Sequence, residues 1–418
     1  MPTLGLPDRK MATAPVPEAD DGRDAPSSTA GLPPSPRTPS AFRKDIQGLR
    51  ALAVTLVILA HADVPHCAAG IVGVDVFFVI SGYVITGALV RETGSIKARL
   101  LSFYSRRVRR ILPAATLTLL ATLVATYHYL GAITGRGLGT DERWASFFAA
   151  NWHFILSSEN YFSSQQPPSI VLHFWSLAVE EQFYLVFPLF LFIVWQVAPA
   201  RHRNMIVLVA LGLLVVSSSW WCIHETQVDP ISAYYSPFTR FWELGLGAFV
   251  RLLPLEIRLP DPRAAAAVGW LGLGGICLSC VFLSTTNYPG VAVFWPVGAT
   301  ALVLWAGTTS TGRGPELLLS TRPVVYVGDI SYSLYLWHYP FLVIPLQYSV
   351  SASLSPLARL ELITAAVGVA SLSYFLAENP IRRSKWLRAH RPVVFLMGLC
   401  LVGSVWLLTG LLRAFVSV

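Results

Sequence analysis

Apolar residues along this chain gather into eleven windows, near residues 46 to 62, 70 to 90, 111 to 130, 176 to 197, 205 to 223, 239 to 252, 267 to 285, 293 to 309, 324 to 348, 358 to 377 and 393 to 412. Polar residues fall between the windows. In hydrocarbon a run of this kind satisfies its own backbone N–H and C=O groups only as a helix. The pattern therefore predicts an all-α, polytopic integral membrane protein with about eleven transmembrane helices. Ahead of the first window, residues 1–41 are rich in Pro, Ser, Ala and Asp and show no apolar period. Such a segment buries too little surface to offset its ordering entropy, so it reads as a disordered cytoplasmic tail. It also lacks the apolar core of a cleaved signal peptide. The expected divisions are this tail, a ten-helix core over 42–383, and a basic loop with the eleventh helix over 384–418.

Two departures from the simple pattern stand out. The segment from 131 to 175 holds Trp144, Trp152, Phe154, Tyr161, Phe162 and Trp175, too aromatic for a free loop. It suits an amphipathic or re-entrant lid on the outer face. The sixth window is short and carries Arg240, Trp242 and Glu243 at its outer end.

Composition agrees with the windows: the 418 residues are 54% hydrophobic and 13% charged, with mean hydropathy +0.56. That is too apolar for a soluble protein of this size. A net charge of +8 would suit nucleic acid only if the basic residues shared one solvated face, and they do not. They fall instead on alternate loops. One side holds Arg91, Lys97, Arg99, Arg106, Arg107, Arg109, Arg110, Arg201, Arg203, Arg251, Arg258, Arg263, Arg313, Arg322, Arg382, Arg383, Lys385, Arg388 and Arg391, and the other only Arg136, Arg143 and Arg413. The positive-inside rule then puts the N-terminus in the cytoplasm and the C-terminus outside, in a multi-pass protein of the cell's inner membrane. Five cysteines, Cys67, Cys222, Cys277, Cys280 and Cys400, lie in or beside the windows. An odd count there gives no disulfide framework, and the pair Cys277 and Cys280 reads as packing residues without further ligands. No metal, P-loop, dinucleotide or serine-hydrolase motif is present, and no metal is expected.

Ionisable residues inside the windows carry the chemistry, because burying them is costly unless they face a cavity or partner. Arg50 and His61 stand eleven positions apart on the first window, about 16 Å along a helix axis. An imidazole at the outer end is suited to proton transfer near neutral pH. A histidine that only hydrogen-bonds a neighbouring helix is the competing reading. Intramembrane Arg, His, Asp and Glu also mark proton relays, so a secondary transporter or exporter is the rival of another class.

The ordered motifs FRKDIQGLRALAVTLVILAH, GVDVFFVISGYVIT, FYSRRVRRILPA, HFWSLAVEEQFYLVFP, GDISYSLYLWHYP and ENPIRR decide between these. Together they resemble the membrane acyltransferase 3 family, from about Phe42 to Arg383. The resemblance implies a multi-helix membrane enzyme that moves a short acyl group, most often acetyl, from cytoplasmic acyl-CoA (acetyl-CoA) to a hydroxyl. The implied acceptor is a carbohydrate, such as a polysaccharide or lipopolysaccharide, or a small glycoside such as a macrolide. The oligomeric state stays open. Some relatives carry a fused hydrolase-like domain with an SGNH signature. This chain stops about six residues past the last window, so that domain is expected to be missing.

The resemblance also implies site residues. Arg50 and His61 match the family's first-helix arginine and histidine. The basic motif fits Arg106 with Arg109 or Arg107 with Arg110, and the second register keeps the spacing to Pro113. Guanidinium forks at the inner rim suit CoA phosphates. His61 is expected to act as general base, with an acid fixing its tautomer. Asp75, Glu180 and Glu181 are the candidates, and Glu180 with Ser176 matches a family SxxxE pattern. His338 and Tyr332, in the motif with Ser331 and Tyr335, and His173, Trp175 and Ser176 are expected near the acceptor. For His338 a structural bond beside Pro340 is equally open. Glu378 is expected to pair with Arg382 or Arg383.

Overall fold

A computed structural model describes residues 43–416, without 93, 160, 162–166, 200, 255, 256, 258, 310, 311 and 350–352. The tail expected to be disordered, and Phe162 of the aromatic segment, lie outside the described residues. All regular structure among the described residues is helical. Helix α1 (Lys44–His61) leads through a 3-10 turn (Ala68–Val72) into α2 (Gly73–Val90), followed by α3 (Ile96–Ser146), α4 (Ala150–Leu156) and α5 (Phe174–Val197). Next come α6 (Arg203–Val228), α7 (Pro230–Tyr235), α8 (Pro237–Leu252), α9 (Pro262–Phe282), α10 (Phe294–Ala306) and α11 (Glu316–Leu319). The chain closes with α12 (Arg322–Tyr348), α13 (Pro356–Ser373), a π-helical turn (Tyr374–Glu378), α14 (Asn379–Arg383), α15 (Lys385–Ala389) and α16 (Arg391–Phe415).

Each apolar window is helical, but among the described residues seven helical stretches are long and apolar enough to cross a membrane. They are Ala68–Val90, Ile96–Ser146, Phe174–Val197, Arg203–Val228, Pro262–Phe282, Pro356–Ala389 and Arg391–Phe415. The windows that became α1, α8, α10 and α12 fall short of this, and the reason is physical. The α10 helix is 13 residues long and α8 is 16. The other two, α1 and α12, carry Arg50, Ser331, Tyr332, Ser333 and His338, which dilute their hydropathy. These polar residues are sheltered by protein. The apolar stretch of α6 is 22% buried, as are those of the spans around α13 and α16, against 78% for α2. The apolar helices α6, α13 and α16 are thus little covered by protein, whereas α2, equally apolar, is packed within together with the polar α1 and α12.

Local signals set several helix starts. Asp229, Ser236, Asp261 and Ser355 each accept a hydrogen bond from a first-turn N–H, and each is followed by proline at the first helical position. The side chain satisfies an orphan donor where proline has none to offer. Asp229→Ala is expected to cost about 1 kcal/mol, read as a lower thermal midpoint in detergent. Hydrogen bonds from Ser232 and Ile231 hold the Asp229 carboxyl below the usual carboxylate range. That contribution is present above the ordinary aspartate pKa and fades as pH falls through the lowered one.

Central helices meet at bare backbone. A Cβ on Gly82 of α2 would lie 1.8 Å from the Leu244 carbonyl oxygen of α8, and one on Gly247 of α8 would lie 2.0 Å from that of Val79. Reciprocal contact of this kind is what small residues give to packed membrane helices. The two helices run parallel, because Arg240 meets Asp75 and Arg251 lies beside Gly87. Likewise α1 and α12 run parallel, Gly328 touching Gln47 and His338 reaching His61. Arg359 pairs with Asp63 just past the end of α1, so the end of the bundle where α1 finishes carries a basic residue that the count by loops leaves out.

The third window continues further than expected. Helix α3 runs to Ser146 through a kink at Gly131, whose φ of 82° is open to glycine. Before the kink, α3 lies along α16, with Gly398 against Val108 and Leu112. After it the chain doubles back: Arg143 Nε donates to Thr409 Oγ1 (2.8 Å) and Arg413 donates to the Arg136 carbonyl (2.9 Å). The aromatic segment therefore begins as a helix fastened to α16.

Candidate active site

His61 is the last residue of α1, which ends where Asp63 takes a left-handed φ of 50° before Pro65. Its Nδ1 lies 3.0 Å from Nε2 of His338 on α12, and its Nε2 lies 2.7 Å from the Tyr161 hydroxyl. His338 Nδ1 lies 2.7 Å from the Tyr335 carbonyl oxygen. A carbonyl only accepts, so His338 carries its proton on Nδ1 and offers a bare Nε2. His61 Nδ1–H must then donate to that nitrogen. By elimination His61 Nε2 is the lone pair, and the Tyr161 hydroxyl donates to it. Tyr339 stands edge-on to the His61 ring at 4.9 Å.

An acid had been expected in the place His338 holds. None of the three candidates hydrogen-bonds His61 among the described residues. Asp75 accepts from Arg240 (3.0 Å) and from the Tyr288 hydroxyl. Glu180 accepts from Ser81 (2.5 Å) and Tyr184. Glu181 faces Arg107 and Arg110. The α12 helix packs along α1 and brings its own histidine to that nitrogen. His338 makes the intrahelical bond beside Pro340 and the contact to His61 at once.

The expected acceptor residues separate into near and far. His173 is buried, donates from Nε2 to the Leu336 carbonyl (3.1 Å), leaves Nδ1 without a partner, and has its ring 5.7 Å from that of His338. Ser176 Oγ shares a 2.7 Å hydrogen bond with the Tyr335 hydroxyl. Trp175 is buried, 6.1 Å from Phe78 and under the Arg240 guanidinium. Tyr332 does not join them: its hydroxyl donates to the Ile111 carbonyl (2.9 Å), so it ties α12 to α3. Sequence reasoning gave no role to Tyr161, Tyr339, Tyr288, Arg240 or Glu243. An Arg and a Glu three apart in a short apolar helix are the signal that could have flagged the last two.

At the other end of α1 the basic motif divides in two. Arg106 pairs with Glu92, and Arg109, buried, donates to the Ser105 and Arg382 carbonyls (3.2 and 3.1 Å). Those two side chains are engaged in holding α3 in place. Arg107 and Arg110 face inward: the Arg107 guanidinium lies 4.0 Å over the Tyr184 ring, and Arg110 repels Arg50. Arg50 donates to Gln47 (3.0 Å), with Glu180 and Glu378 as its compensating anions. Glu378 pairs with Arg382 (3.6 Å) and accepts from Ser333. Arg110 Nε is buried and unpartnered, an orphan donor that an anion such as phosphate would satisfy. Among the described residues no group of three or more metal-ligating side chains occurs.

Comparison with known proteins gives a consistent picture. The family described as an acyltransferase domain matches residues 43–378. A putative peptidoglycan O-acetyltransferase YrhL of Bacillus subtilis is 34% identical over 355 residues, covering 81% of this chain and 54% of the relative. Peptidoglycan O-acetyltransferase OatA of Listeria monocytogenes is 32% identical over 362 residues, 82% of this chain and 56% of the relative. O-acetyltransferase OatA of Staphylococcus aureus is 32% identical over 353 residues, with coverages of 81% and 57%. The chain thus spans a little over half the length of these curated relatives. No solved structure matches it.

Proposed function

The chain belongs to the membrane acyltransferase 3 family, whose domain matches residues 43–378, and from that premise we propose an integral-membrane O-acyltransferase. It moves a short acyl group, acetyl by analogy with the relatives' names, from cytoplasmic acyl-CoA to a carbohydrate hydroxyl on the outer side. Relatives named for peptidoglycan acetylation make a cell-wall glycan the first acceptor to try. The observation that carries the reading is the His61 ring held between two partners, Nδ1 3.0 Å from His338 Nε2 and Nε2 2.7 Å from the Tyr161 hydroxyl.

In this reading an acceptor hydroxyl takes the position of the Tyr161 hydroxyl on His61 Nε2. His61 withdraws the proton as the oxygen attacks the thioester carbonyl. His338 Nε2 and the negative end of the α1 dipole stabilise the imidazolium as it forms. The tetrahedral intermediate collapses, the C–S bond breaks, and the His61 proton passes to the departing CoA thiolate. Arg50, Arg107 and Arg110 hold the nucleotide at the inner end, and the pantetheine arm lies along α1.

The test is purified full-length protein incubated with radiolabelled acetyl-CoA and a panel of glycans and glycosides, with product identification. Label in an O-ester on a carbohydrate is the expected result. Thioester hydrolysis without ester on any acceptor overturns it. The donor assignment makes its own prediction. Arg107→Gln and Arg110→Gln should each raise KM for acyl-CoA roughly tenfold or more, the loss of one charge-assisted hydrogen bond. Arg106→Gln, bonded to Glu92, should leave that KM within about twofold, because a charge already paired at an exposed rim contributes little.

A further inference from the structure

We propose that the seam between α3 and α16 holds one anionic phospholipid, its phosphate on Arg136, Arg143 and Arg413 and one acyl chain in the apolar cleft alongside. The arginines come from the return limb of α3 and from the last turn of α16. Arg136 Nη2 donates to the Val416 carbonyl (2.9 Å), Arg413 Nη2 to the Arg136 carbonyl (2.9 Å) and the Thr140 hydroxyl, and Arg143 Nε to Thr409 Oγ1 (2.8 Å). All of these acceptors are neutral oxygens. Among the described residues none of the three guanidinium groups has an ion-pair partner, and Nε of Arg136 and of Arg413 is buried without a hydrogen bond. Two of them lie against bare backbone: a Cβ on Gly139 would stand 3.8 Å from Arg413 Nε, and one on Gly410 3.9 Å from Arg143 Nη2. Three cations gathered on one seam repel one another unless an anion joins them, and a phosphate accepts several such donors at once.

The cleft gives the chain its place. It lies between the same two helices, has a volume of about 550 Å³, and is lined by Leu117, Leu120 and Val124 of α3 and Leu408 of α16, with His128 and Tyr129 at the end nearer the kink. Leu408 precedes Thr409, the partner of Arg143. From Leu117 to Tyr129 the helix rises about 18 Å, close to the depth of one leaflet in a hydrocarbon core of about 30 Å. Both helices belong to stretches able to cross a membrane. Val124 and Tyr129 are 53% and 55% exposed, so the cleft opens sideways, toward lipid. A free anion would leave the cleft unexplained, and a neutral lipid would leave the arginines unpaired. The return limb also carries Asp141, which bonds Ser169 Oγ (2.5 Å) and His153 Nε2 (2.9 Å). A lipid that steadies this limb therefore steadies the segment that includes Tyr161, the partner of His61.

The full chain, purified in detergent and stripped of lipid, is titrated with phosphatidylglycerol or phosphatidylcholine under native mass spectrometry, and its thermal midpoint is followed in parallel. One phosphatidylglycerol should be retained per chain. Phosphatidylcholine should bind several-fold less tightly, because its choline cation faces the same arginines. Arg136→Gln combined with Arg413→Gln should weaken phosphatidylglycerol binding roughly tenfold or more, the loss of charge-assisted hydrogen bonds. Val124→Trp fills the cleft, keeps every charge, and should weaken it as well; as an exposed position, it keeps the test decisive if the double arginine variant does not fold. Equal binding of the two lipids, or a Val124→Trp variant that retains phosphatidylglycerol as the wild type does, overturns the site. Inorganic phosphate that raises the thermal midpoint as much as phosphatidylglycerol overturns the lipid as its occupant. None of these readouts uses acyl transfer, so they stand apart from the acyltransferase reading.

Discussion

His61→Ala is expected to lower kcat for acyl transfer by roughly 10²–10⁴-fold, the range for removing a positioned general base, with membrane insertion and KM for acyl-CoA little changed. Insertion should persist because His61 closes α1 instead of packing its middle: the buried residues of that helix run from Gly48 to Ile58. KM should persist because the proposed phosphate ligands stand at the opposite end. His338 is a positioning residue and should behave differently. His338→Ala removes the acceptor that fixes the His61 tautomer, so kcat falls by less than for His61→Ala while KM again holds. His338→Gln, whose amide oxygen can accept the same hydrogen bond, should recover part of the loss. Near-normal turnover by the His61→Ala variant, measured with labelled donor, would end the proposal.

How much of this was legible beforehand follows the range of each interaction. Helices were legible because their signals are local: an apolar run, or an Asp-Pro or Ser-Pro start, as at Asp229 and Ser355. The reversal after Gly131 was not, since the sequence offers only one glycine and an aromatic-rich stretch, while the structure fastens that stretch to α16 through Arg143 and Arg413. His61 was visible as an ionisable group in an apolar window. Its partner was not, because His338 lies far along the chain and only the packing of α12 on α1 brings the rings together. The same holds for the arginine motif. Spacing gave two registers, and the neighbours on α3's two faces, Glu92 on one and Tyr184 on the other, separate them. Charge counting by loops missed Arg359, since it sits at a window's edge and its pairing with Asp63 fixes its side.

Arg240→Met should be the most destabilising single change in the molecule, at about 3–5 kcal/mol, the cost of removing one partner from a buried ion pair. Arg240 is 1% exposed, and Nη1 donates to Asp75 and to Glu243, each at 3.0 Å. Its Nε donates to the Tyr234 carbonyl at 3.1 Å, and its plane lies near the Trp175 and Tyr234 rings, 5.5 and 5.1 Å from their centres. One cation therefore compensates two buried carboxyls and braces the aromatic wall on which Tyr161 rests, 4.6 Å from Tyr234. Two carboxyls around one guanidinium balance most simply when they share a single proton, Glu243 Oε2 having no hydrogen-bond partner of its own. That arrangement sets the order of effects. Glu243→Gln keeps the charge balance and should lower the thermal midpoint least; Asp75→Asn leaves the cation short of its anion and should lower it more; Arg240→Met should lower it most. Adding Asp75→Asn and Glu243→Gln to Arg240→Met should recover part of the loss, since a site with no charge needs no counterion. Strictly additive midpoints across that series would mean that the three side chains do not act as a unit. If they do, transfer activity should fall along with stability, because the wall that borders His61 is held by the same guanidinium.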